Sequence, residues 1–200
     1  GLLFLAAWEI MALAGFFLIT TEEKHLETRR AGFIYLTCAH TGTLALFALF
    51  ILLEQGLGSF AFPAPSSLNA SSGLASAIFL LALFGFGVKA GLTPLHIWLP
   101  GAHAAAPSHV SAFLSGVMIK SGIYGLVRVS GFFAAPPVWW GSTILILGVV
   151  SGVLGVVFAI AQHDIKRLLA YHSVENIGII AMGLGAALLG KSYDLPLLTI

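Results

Sequence analysis

The stretch "FGFGVKAGLTPLHIWLP", Phe84 to Pro100, is apolar enough to lie in lipid, yet it carries Lys89 and, five residues on, Pro94. A charge at the centre of a membrane helix costs about 2.5–3.5 kcal/mol on insertion scales. A proline inside a helix removes one backbone donor, and its ring clashes with the carbonyl four residues back. Here that carbonyl is Ala90's, next to Lys89, and Gly85, Gly87 and Gly91 loosen the same turn. Broken helices persist in membranes where they line a protein or water cavity, and they recur at ion sites of transporters. A plain kink is the bland alternative, because Pro and Gly are frequent in membrane helices. The reading that uses both features is a spanning helix broken at Gly91–Pro94 beside a buried cation.

The rest of the chain agrees with that setting. Of 200 residues 58% are hydrophobic and 8% charged, against roughly a quarter charged in soluble domains. Six mostly apolar stretches reach the length of about 20 residues that a helical span needs. They are apolar all round, whereas barrel strands would alternate over about 10 residues. The expected fold is therefore an all-α polytopic membrane protein. The chain opens at Gly1 inside an apolar run with no basic leader and stops inside "DLPLLTI", which reads as the start of a further span. Residues 1–200 are thus expected to form a single transmembrane domain, an internal piece of a longer protein. Cys38 stands alone, so neither a disulfide framework nor a cysteine metal motif is expected. A net charge of +1 leaves no nucleic-acid footprint.

The spans are expected at about Gly1–Thr20 (A), Ala31–Leu53 (B), Gly73–Trp98 (C), Ser108–Gly131 (D), Gly141–Gln162 (E) and Leu168–Leu189 (F). Connectors after A, C and E hold Lys24, Arg29, Arg30, Lys166 and Arg167, while the other side has only Lys191 and, near the end of D, Arg128. The positive-inside rule then makes the Lys24–Arg30 and Lys166–Arg167 loops cytoplasmic. Glu54, Arg128 and Lys191 read as interfacial residues without an assigned role.

Four ionisable residues remain inside spans: Glu9 in "AAWEIMALAG", Lys89, Lys120 in "SGVMIKSGIYG" and Glu175 in "YHSVENIGII". Glu9 lies about 16 Å from the end of span A at 1.5 Å per residue, near the middle of a hydrocarbon core of about 30 Å. Lys120 is similarly deep in D. Static ion pairs or snorkelling side chains would account for such a set. The alternative is a proton route, in which burial weakens a lysine's hold on its proton and a nearby carboxylate strengthens it. Glu9 and Lys89 are the natural partners for that arrangement. His40 sits mid-span among small hydroxyl residues, and His96, His103 and His109 fall on the C–D connector. Imidazoles titrate near neutrality and relay protons well. The connector spacings match no helical zinc motif, so no metal is expected there. His25 and His163 read as surface residues.

The long motif "FGFGVKAGLTPLHIWLPGAHAAAPSHVSAFLSGVMIKSGIYGLVR" resembles the antiporter-like, proton-translocating membrane subunits of complex I, Mrp antiporters and energy-converting hydrogenases. "WE" in span A and "AQHDIKRLLAYHSVENIGII" in E–F extend the likeness over nearly the whole chain. "AHTGT", "SHVSAFLSGVMIKSGIYG" and "YHSVENIGII" are most similar to the hydrogenase-4 and formate hydrogenlyase type, although "APSHVS" departs from the "APTPVS" usual in complex I relatives. The resemblance implies inverted repeats of five helices, each with a broken helix, and a midplane path of lysines, histidines and water. It implies that Glu9 modulates Lys89 and that Lys89 passes charge to Lys120, with His40, Glu175, His103 and His109 as further proton-transfer candidates. It implies no cofactor in this subunit. The iron–sulfur and nickel–iron centres would lie in partner subunits: other membrane subunits and a peripheral hydrogenase or dehydrogenase arm, in a bacterial or archaeal plasma membrane. An Mrp-type sodium/proton antiporter subunit or a complex I pump subunit on the same fold, and a scaffold anchoring a peripheral oxidoreductase, are the competing readings.

Overall fold

A computed structural model describes residues 1–22, 25–68 and 70–195. Lys24 of the charged turn and the apolar residues 196–200 lie outside the described residues. Those described form helices α1 (Leu2–Ile19), α2 (Leu26–Leu57), α3 (Ser72–Ala90), α4 (Leu99–Ala105), α5 (Ser108–Phe113), α6 (Ile119–Ser130), α7 (Val138–Ile160) and α8 (Ile165–Ser192). A π turn, Leu114–Met118, joins α5 to α6, so Ser108–Ser130 is one span of six, and the described residues contain no strand. The protein is a multi-pass all-α membrane bundle.

Each helix end shows how its backbone groups are satisfied. Thr20 and Thr21 fold back so that their hydroxyls donate to Phe16 O and Leu18 O, both at 2.8 Å, closing α1. Ser71 accepts from Leu74 N–H at 3.4 Å at the start of α3. Asp164 accepts from Arg167 N–H at 2.9 Å at the start of α8. Such caps replace intrahelical partners that terminal groups lack.

Span C breaks where expected, at Gly91–Pro94. Within the span expected at Gly73–Trp98, α3 stops at Ala90, residues 91–98 are not helical, and α4 begins at Leu99. The stop is set by Gly91, whose φ of 75° is left-handed. Gly91 N–H and Leu92 N–H both reach Gly87 O, at 2.9 and 3.1 Å, the pattern of a glycine C-cap. Pro94, joined to Thr93 by a cis peptide bond, follows the stop and does not cause it.

Between helices in lipid, packing depends on close backbone approach at small residues because lipid tails are as apolar as leucine. The α7–α8 pair is built that way. Gly141, Gly148 and Gly155 on α7 meet Gly178, Gly185 and the Glu175 backbone on α8. A Cβ at Gly148 would stand 2.7 Å from Met182 N and 2.8 Å from Gly178 O. α3 runs through the centre, packed on α2 and α6. Gly122 of α6 lies so close that a Cβ there would stand 2.6 Å from Phe86 O and 2.7 Å from Ala90 N. The core around α3 holds Trp8, Tyr35, Phe79, Phe86 and Trp98, while Leu3, Ile10 and Ile160 face outward.

The two ends of the bundle differ. At one, the α2–α3 and α6–α7 connectors are tied by Ser66 N–H to Gly131 O (2.9 Å) and Leu68 N–H to Phe132 O (3.1 Å). Lys191 and Ser192 of α8 add bonds to Phe133 O (2.7 Å) and Pro136 O (2.8 Å). At the other end the connectors after spans A, C and E surround a cleft of about 880 Å³ lined by Glu22, His25, Arg30, Asp164, Lys166 and Arg167.

Candidate proton-transfer site at the broken helix

Lys89 lies in the last turn of α3, two residues before Gly91, and is 3% exposed. Its Nζ donates to Tyr35 Oη of α2 at 3.3 Å. It also lies 5.5 Å from the ring centroids of both Trp8 and Tyr35, close enough for each π face to attract an ammonium. The Tyr35 hydroxyl donates its own proton toward Met118 Sδ at 3.4 Å, leaving its lone pairs for the lysine. Trp98, just before α4, donates its indole N–H to Val88 O at 2.7 Å. The carbonyl beside Lys89 is therefore satisfied from across the break, and Thr93 N–H is held by Ser151 Oγ of α7 at 2.9 Å.

Glu9 does not meet Lys89 directly. Its Oε2 lies 3.1 Å from His40 Nδ1 on α2, and no ion pair within 4.0 Å joins it to the lysine among the described residues. Successive helix residues point about 100° apart. Trp8 takes the position toward α3, its ring 5.4 Å from that of Phe86, so Glu9 turns toward α2. The site is thus two neighbouring polar pairs, carboxylate with imidazole and amine with phenol, rather than one acid–lysine bridge. Glu9 Oε1, Thr93 Oγ1 and His96 Nδ1 are buried without a protein partner, and such atoms are where internal water binds.

The remaining candidates lie apart from this site. His103 on α4 is 2% exposed, with Nδ1 2.5 Å from Ser111 Oγ of α5 and Nε2 buried without a partner. His109 is exposed. Lys120, at the middle of its span as expected, is exposed in this chain, and its Nζ donates to Ser115 O at 2.6 Å. Glu175 pairs within α8 with His172 Nδ1 at 2.6 Å. Among the described residues no three His, Cys, Asp or Glu side chains converge as a metal site would require.

Residues 2–194 match the family described as NADH:quinone oxidoreductase/Mrp antiporter, TM. The chain belongs to this family. It is 46% identical over 200 residues to hydrogenase-4 component B of Escherichia coli (strain K12), covering 98% of this chain and 30% of that protein. Formate hydrogenlyase subunit 3 of the same organism is 37% identical over 196 residues, covering 98% of this chain and 31% of its own length. The chain therefore spans about a third of the length of the curated relatives it matches. In the solved Mrp complex from Dietzia sp. DQ12-45-1b, a chain 29% identical superposes with a TM-score of 0.81, over 96% of this chain and 22% of that one. These relatives are subunits of multi-subunit membrane complexes.

Several residues around Lys89 carried no sequence signal of their position. Tyr35 reads as one more aromatic in an apolar run, and Trp98 as a membrane aromatic near a proline. His172, which the sequence reading did not single out, had a signal: a histidine three residues before a glutamate shares its helix face.

Proposed function

We propose that this chain carries proton-transfer machinery of a membrane subunit in a redox-driven complex, of hydrogenase-4 or formate hydrogenlyase type. The observation that carries the reading is Lys89: a buried amine at a helix break, held by a phenol and two aromatic faces instead of a carboxylate. An ammonium fixed by a salt bridge is a structural tie. One held by a single neutral oxygen can give up its proton without leaving a bare buried carboxylate. The Glu9–His40 pair nearby supplies an acid and a base of suitable chemistry to alter the field at Lys89. Lys120 on the next span is the onward acceptor. Redox chemistry belongs to partner subunits with iron–sulfur and nickel–iron centres, in a peripheral hydrogenase or dehydrogenase arm. Arg29, Arg30, Lys166 and Arg167 favour the cleft end as the cytoplasmic side of a bacterial or archaeal plasma membrane.

The test is Lys89→Ala in the complete complex, with proton uptake into membrane vesicles followed during redox turnover. Proton uptake is expected to vanish while the complex still assembles; uptake at the wild-type level overturns the proposal. The likeness to the Mrp chain supports a second reading, sodium/proton exchange on the same side chains. Sodium-dependent proton movement without redox turnover would decide for it.

A further inference from the structure

The span Ser108–Ser130 changes its winding midway. At the π turn Ile119 N–H reaches Leu114 O, five residues back. The Ser115 carbonyl thereby loses the Ile119 N–H that an α-helix would give it. Lys120 supplies a donor instead, its Nζ 2.6 Å from Ser115 O. The hydroxyl of the same serine lies 2.9 Å from Ser173 Oγ on α8, and Ser173 Oγ donates to Leu169 O at 3.1 Å. A hydroxyl has one proton to give, so Ser115 donates to Ser173 and Ser173 to Leu169. One residue thus holds the ammonium through its carbonyl and a neighbouring helix through its side chain.

We propose that Ser115 and Ser173 are positioning residues that seat Lys120 for proton transfer. The inference rests on the reading of Lys120 as a proton carrier. The π turn inserts one residue, and each residue turns a helix by about 100°. Were the turn to relax to α-helical winding, Lys120 would swing by that angle to another face of the span. Two bonds oppose this: the ammonium bond, which favours the widened carbonyl, and the Ser115–Ser173 bond, which fixes the turn's register against α8. The second bond persists when Lys120 gives up its proton. The amine therefore keeps its address through the transfer, which a transfer site needs because reacting groups work only when held in position.

The experiment uses the complete complex in membrane vesicles, with Ser115→Ala, Ser173→Ala, the double variant and Lys120→Met. Each serine variant should lower proton uptake by up to about a hundredfold, the scale of misplacing a reacting group, with unchanged complex abundance. The double should be no worse than either single, because both remove the same bond. A packing role would instead lower abundance and add up in the double. Wild-type uptake in assembled Ser173→Ala, with Lys120→Met impaired, overturns this proposal and leaves the reading of Lys120 intact. Wild-type uptake in Lys120→Met overturns both. Where Ser115→Ala reduces yield, Ser173→Ala decides alone.

Discussion

Tyr35→Phe isolates the contact on which the site depends. The change removes one oxygen, keeps the ring over Lys89 and leaves the Trp8 face in place. A hydrogen bond to a charged group contributes about 1.5–3 kcal/mol. The Lys89–Tyr35 separation of 3.3 Å is long beside the usual 2.7–2.9 Å of charge-assisted bonds, so the lower end of about 1.5 kcal/mol applies. Since about 1.36 kcal/mol is tenfold, the ratio of protonated to neutral lysine should fall about tenfold. Proton uptake limited by the protonated form should fall by up to that factor. The assay is fluorescence-quench proton uptake by vesicles holding the assembled complex, normalised to complex abundance, with Lys89→Ala as the zero. Met118→Leu, which removes only the sulfur acceptor of the tyrosine proton, should stay near wild type. Wild-type uptake in assembled Tyr35→Phe, beside an inactive Lys89→Ala, would refute the assignment of Tyr35 as the seat of the ammonium.

Other perturbations test the surroundings. Glu9→Gln and His40→Ala should each slow proton uptake, and the double should fall short of their sum by a coupling of about 0.5–3 kcal/mol, as for residues in direct contact. Trp98→Phe removes the indole donor of Val88 O, which keeps Gly91 N–H at 3.3 Å; a cost of about 0.5–1.5 kcal/mol should appear as a lowered unfolding temperature of the purified complex. Gly148→Val drives a side chain into Met182 N and Gly178 O and should cost at least about 1–3 kcal/mol, read as lost complex abundance. Gly183→Ala, where a Cβ meets nothing within 4 Å, should leave abundance unchanged.

Length and hydropathy were enough to place most spans, since α1 and α7 begin and end within a few residues of their apolar runs. The broken helix was legible in kind but not in detail. Pro94 drew attention to the kink, whereas the stop belongs to Gly91, because a left-handed glycine cap ends a helix before a proline three residues later can act. The partner of Lys89 was not legible, since it depends on how α1 is rotated about its axis. Trp8 and Glu9 compete for the inward position and the larger apolar side chain wins. The depth of Lys120 follows from counting along Ser108–Ser130, but the side it faces does not, because the π turn adds a residue's rotation of about 100°. The glycine seam of α7 and α8 is written as a seven-residue spacing in both helices. Its partner surface emerges only once the hairpin closes.

The laced end of the bundle has a mechanical consequence. Two connectors and the tail of α8 are sewn together there by backbone and side-chain bonds, while the opposite mouth is wide and lined with charge. The open end is tied as well, where Lys166 Nζ donates to Ala106 O of the α4–α5 connector at 3.0 Å. That tie is a single side-chain bond and goes with the Lys166 amine, whereas the laced rim keeps its backbone bonds under any one side-chain change.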